Sequence, residues 1–176
     1  MLRYILIYGV VAGVVVGVPL SILTLTKSGQ TMMSYGMLVG YLTMLIALSA
    51  VFLAIKRHRD VDLGGVIRFW PALALGLGVS TVAGVIYVVA WEVSCAIAHA
   101  DFAGAYAQAL IAEQEAKGVS GEALERFRAE MEQFKLDYAN PLYRWPMTFA
   151  EIFPVGVIVS LVSAGLLRNS RFLRSR

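Results

Sequence analysis

FWPALALGLGVSTVAGVIYVVAWEVSCAIA, running from Phe69 to Ala98, decides the fold. Its 30 residues include a single formally charged side chain, Glu92. Coiled as an α-helix the stretch is about 45 Å long, against about 30 Å for the hydrocarbon core of a bilayer, so it must tilt, kink or protrude. A helix that is apolar on every side over such a length is read as a membrane span.

Three further runs of the same kind flank it, Tyr4 to Leu25, Tyr35 to Ile55 and Trp145 to Leu167. The chain as a whole is 59% hydrophobic and 15% charged, with a mean hydropathy of +0.71. Soluble domains run nearer about 45–50% apolar and about 25% charged. Arg3 before the first run could suggest a secretory signal. The run is longer than an h-region of about 7–15 residues, however, and no A-x-A-like cleavage site follows, so an uncleaved span is expected. The net charge of +3 and the pI near 9.1 do not point to nucleic acid. The basic residues flank the apolar runs instead of forming a separate patch with interleaved aromatics, so they read as topology signals.

Arg3, then Lys56, Arg57, Arg59 and Arg68, then Arg168 and the tail arginines Arg171, Arg174 and Arg176 fall on one side of the four spans; the short loop opposite has only Lys27. The positive-inside rule places the basic side, and both termini, in the cytoplasm. The segment from His99 to Arg144 then faces out, with Asp101, Glu113, Glu115, Glu122, Glu125, Glu130, Glu132 and Asp137 against five bases. Lys56, Arg57 and Arg59 could also draw anionic headgroups, at about 1 kcal/mol per charge. Cys95, the single cysteine, rules out an intramolecular disulfide and reads as a small buried residue.

Within the outer segment Phe102, Tyr106, Ala109 and Leu110 recur at helical spacing, and Lys117-Gly118 reads as a stop. Ser120 is expected to cap a second helix carrying the stripe Leu124, Phe127, Met131, Phe134 and Tyr138, which Asn140-Pro141 ends. The expectation is therefore a single all-α membrane domain over residues 1–176. It comprises a four-transmembrane-helix bundle with an extracytoplasmic helical hairpin, about 101–139, between the third and fourth spans. The hairpin's stripe should pack on its partner helix or lie on the membrane surface.

In lipid, close van der Waals packing takes over from apolar burial between helices, and small residues four apart permit it. Every span has such a seam: Gly9/Gly13/Gly17, Gly36/Gly40, Ala72/Gly76/Ser80/Gly84 and Gly156/Ser160/Ala164. These could hold one bundle together, or one of them, foremost Gly9/Gly13/Gly17, could face a second copy or another membrane protein.

Glu92 and Glu151 are the costly residues, at about 2–3 kcal/mol for an acid inside a span. Each stands about two turns from the outer end of its helix, so a similar depth is expected for both. Pro154 would free the carbonyl of Ala150 as a further acceptor near Glu151. If the carboxylates meet, they share a proton or a cation. The structural alternative has Glu92 bonded to Tyr87 or Ser94 and Glu151 reaching Arg144. His58 and His99 fall on opposite sides and cannot share a metal. No HExxH, paired Cys/His spacing or G-x-S-x-G is present, so neither a metal nor another cofactor is expected.

Gly40-Tyr41, the exit Ile55-Lys-Arg-His-Arg-Asp60, the string Thr148-Phe-Ala-Glu151-Ile-Phe-Pro154-Val-Gly156 and the following Val159-Ser-Leu-Val-Ser-Ala164 resemble the bacterial membrane family known as domain of unknown function 4199. The resemblance covers nearly the whole chain and implies four spans in a bacterial inner membrane; it brings no catalytic residue. Two functions are compatible with the residues. One is a non-enzymatic accessory or scaffolding component whose hairpin meets a partner. The other is a small proton- or cation-coupled transporter using the intramembrane carboxylates.

Overall fold

The computed structural model describes residues 1–25, 32–98 and 101–173; in the second helix side chains are described from Leu38 onward, Val39 excepted. Lys27, His99, Arg174 and Arg176 lie outside the described residues, as do the surroundings of Gly36. The chain is all-α: α1 Leu2–Leu25, α2 Met32–Asp62, α3 Phe69–Ala98, α4 Phe102–Ala116, α5 Glu122–Ala139 and α6 Pro141–Leu167. Among the described residues, α1, α3, α6 and the Gly40–Asp62 part of α2 are long and apolar enough to cross a membrane. The remaining two, α4 and α5, form the hairpin between the third and fourth of these.

Two boundaries differ from the sequence expectation. The basic run after Ile55 does not end α2, which continues to Asp62. Its charges support the extra turns, because Lys56 pairs with Asp60 and His58 with Asp62 at four-residue spacing, each at 2.8 Å. The chain turns only at Gly64 and Gly65, whose φ values of 63° and 90° suit glycine alone. At the other junction α6 begins at Pro141, four residues before Trp145. Proline is well placed there because the first helical position has no use for its missing N–H.

The centre of the bundle is α3, with α1 on one flank and α6 on another, while α2 touches all three. α1 runs parallel to α3 in a fixed register. A methyl group added at Gly9 would stand 2.6 Å from Val82 Cβ, one at Gly13 would stand 2.6 Å from Ile86 Cβ, and one at Gly17 would stand 3.0 Å from Ala90 Cβ. Gly78 of α3 returns the approach against Ile5 of α1. The first seam is thus filled by the chain's own α3. α6 runs antiparallel to α3, with Gly76 facing Ser160, Gly156 facing Ser80, and Gly84 under the ring of Phe149. Gly40 is the exception among the described seam glycines: nothing stands within 4 Å of where its side chain would be.

The hairpin forms much as the residues predict, apart from one cap. Lys117 closes α4, and Gly118 at φ 83° turns the chain. Its N–H bonds to Glu115 O at 2.9 Å and that of Val119 to Gln114 O at 3.1 Å, the paired bonds of a Schellman stop. Ser120 does not cap α5. Gly121 occupies the cap position at φ 64°, a conformation a serine would resist, and no side chain bonds there. Negative side chains in the first turn, Glu122 and Glu125, favour that helix end instead.

Candidate functional site

Where the hairpin joins the bundle, four helices are tied by one polar and aromatic cluster. Asp101 caps α4 by accepting from Gly104 N at 2.8 Å, and Asn140 caps α6 by accepting from Leu142 N at 3.0 Å. Those caps set the angles at which Phe102 and Arg144 enter. The Trp91 indole of α3 donates to the Tyr138 hydroxyl of α5 at 2.9 Å, and its ring meets Phe102 edge-on at 4.9 Å. Phe102 and Tyr106 of α4 then pack against Tyr138 and Phe134 of α5 at 5.7 and 5.8 Å. Phe134 and Tyr138, the last two residues of the α5 stripe, therefore turn to the partner helix, and Tyr138 also to α3. Burial pushes the Tyr138 hydroxyl up to about 12, so it stays neutral at ordinary pH and accepts the indole hydrogen.

Arg144 completes the cluster. Its Nε and Nη2 donate to the two oxygens of Glu92 at 2.5 and 2.6 Å, its Nη1 to Tyr138 O at 3.1 Å, and its guanidinium lies 5.6 Å from the Tyr138 ring centre. This is the two-pronged arginine–carboxylate geometry, among the stronger polar contacts available to a protein. The side chains keep 22% and 26% of their exposure, enough to weaken the pair below a fully buried one.

Glu151 does not join it. It lies on the exposed surface of α6 and, among the described residues, accepts a single bond, from the Tyr87 hydroxyl of α3 at 3.2 Å. Glu92 lies level with Arg144, seven residues before Glu151 on α6, so the two carboxylates differ in depth by roughly 10 Å rather than sharing one. The partners expected from the sequence are exchanged: Glu92 takes Arg144, and Glu151 takes Tyr87. Pro154 is exposed on α6, one turn beyond Glu151. Among the described residues no three of His, Cys, Asp or Glu converge as metal ligands would.

Residues 7–169 match the family described as Protein of unknown function (DUF4199). The chain belongs to that family. No curated protein and no solved structure matches it. As a DUF4199 protein it takes no residue role from a relative, and its geometry has to carry the argument.

The opposite end of this DUF4199 bundle holds the residue that sequence reasoning placed wrongly. Arg59 cannot serve the headgroups, because it is fully buried. Its Nε donates to Asp60 at 2.7 Å, its Nη1 to Phe172 O at 2.9 Å and its Nη2 to Leu173 O at 3.1 Å, with Leu167 O at 3.4 Å from Nη1. Leu167 O belongs to the last turn of α6, where a helix leaves acceptors unmet and favours a cation, and Phe172 and Leu173 lie in the turn that follows. Nothing in the local run Lys56-Arg57-His58-Arg59 marks one arginine out; helical periodicity does, since Arg59 follows Leu48, Val51 and Ile55 on the inward face. Arg57, Arg68 and Arg168 are exposed, and Lys56 is bound to Asp60.

Proposed function

We propose that this protein is a non-enzymatic accessory component of a bacterial inner membrane, holding its helical hairpin outside the cytoplasm as a docking platform for a partner. The observation that supports this most directly is the way the hairpin is seated. Trp91, Tyr138 and the Arg144–Glu92 pair fix α4 and α5 to α3 and α6, while the charged faces of the hairpin point away from the bundle. Surface pairs such as Arg128 with Glu115, at 2.7 Å, brace the two hairpin helices without consuming their acidic balance. A transport reading built on two carboxylates has less support, because Arg144 neutralises Glu92 and Glu151 stands apart with Tyr87.

Site-specific photocrosslinking tests the platform. A crosslinker at exposed Glu130 on the hairpin should capture a defined envelope protein in living cells, whereas one at exposed Ile158 on α6 should capture lipid alone. Equal protein capture from both positions, or none from Glu130, would remove the docking role. Accessibility of the two positions to a membrane-impermeant reagent reports the orientation in the same cells.

A further inference from the structure

A cavity of about 320 Å³ opens at the meeting point of α3, α4, α5 and α6, lined among others by Glu92, Cys95, Asp101, Phe102, Lys135 and Arg144. That volume is at the lower end of small-ligand sites. Its charged lining is two acids and two bases, formally neutral as a set, so neither a bare anion nor a bare cation is complemented. From these features we propose that the cavity binds a zwitterionic phosphate ester, with the phosphate directed at Lys135 and the remaining N–H hydrogens of Arg144, and the ammonium at Asp101.

Unused hydrogen-bonding capacity supports the assignment. Arg144 has five N–H hydrogens, and its three recorded bonds go to Glu92 and the Tyr138 carbonyl. Asp101 gives one oxygen to the Gly104 cap and keeps the other. Lys135 is half-buried, and among the described residues its ammonium pairs only with Glu132, an exposed neighbour on its own helix. Phe102 supplies an apolar wall. Position matters as much as chemistry: the cavity sits where the apolar α3 gives way to the polar hairpin, the level at which headgroups lie. Val85 and Val89, on α3 one to two turns nearer the membrane centre than the cavity, are exposed and would lie alongside acyl chains.

Two sources offer this chemistry, a phosphatidylethanolamine headgroup and a soluble phosphoethanolamine ester; the site is independent of the docking role proposed above. Cys95 supplies an intrinsic probe, because it is the protein's single cysteine and lines the cavity. The full chain in detergent should be alkylated at Cys95 by monobromobimane about 10-fold more slowly with phosphatidylethanolamine than with phosphatidylglycerol. Lys135→Gln with Asp101→Asn, which keeps a side chain able to cap α4, should abolish that difference while circular dichroism stays unchanged. Protection by glycerophosphoethanolamine as strong as by the lipid assigns a soluble ligand; protection by the lipid alone assigns the bilayer. Equal protection by both lipids, or by none of the three compounds, overturns the proposal, and it does so on the unaltered protein even if the double variant fails to fold.

Discussion

Two arginines hold the ends of α6, and they do it by opposite means. At the hairpin end Arg144 sits on α6 itself and reaches across to a carboxylate of α3, keeping 22% exposure. At the far end Arg59 belongs to α2, is fully enclosed, and spends its hydrogens chiefly on backbone carbonyls after α6. The first is a charge neutralised by a charge. The second is a charge held by backbone carbonyls at and just beyond a helix end, with Asp60 alongside. One span is thereby fixed in register at both ends, even though apolar burial favours no particular register within lipid.

The comparison orders the expected effects of substitution. Arg59→Met should cost the most, about 3–5 kcal/mol, because it takes one of two cations from a nearly buried Asp60 and the donor from several carbonyls at once. Reversible unfolding in mixed micelles measures it, with Arg59→Lys recovering only part of the loss because an ammonium lacks the guanidinium fork. A cost below about 0.5 kcal/mol would make Arg59 a spectator. Arg144→Met should cost less, about 1.5–3 kcal/mol, and should also change Trp91 fluorescence as the aromatic cluster loosens. Combining it with Glu92→Met should cost less than the sum of the single changes; strict additivity would mean that the two side chains do not interact.

The smallest effect concerns the carboxylate that has no arginine. Tyr87→Phe removes one hydrogen bond to an exposed acceptor and should cost about 0.5–1.5 kcal/mol. Glu151→Gln, which still accepts from Tyr87, should be close to neutral in the same unfolding measurement. A loss from Glu151→Gln as large as that from Arg144→Met would show that Glu151 has a stabilising partner beyond Tyr87.

Long-range structure was readable from the sequence wherever a pattern repeats over many residues. Apolar runs give the four span-like helices, and the five-residue stripe from Leu124 to Tyr138 gives the less exposed face of α5, half-buried until it reaches the buried Tyr138. Features set by a single contact were not readable in this way. Glu151 and Arg144 sit two turns apart on one helix, which suggested a local pair, yet Glu92 from α3 claims Arg144 instead. Likewise Ser120 has the chemistry of a cap, but the tight turn demands a positive φ that only Gly121 meets cheaply. Arg59 was hidden by its neighbours: a run of like charges reads as solvated until the helix is followed through it.

The Arg59 clamp also bears on how the chain is made. Arg59 leaves the ribosome more than a hundred residues before Phe172 and Leu173, whose carbonyls it needs. Until Phe172 and Leu173 have been made, the guanidinium and Asp60 must stay hydrated at the membrane border, and α2 cannot settle fully into the bundle. Closure of the clamp is thus a late event in the assembly of the bundle. A truncated product would be left with an open, hydrated seam, the kind of defect that membrane proteases recognise.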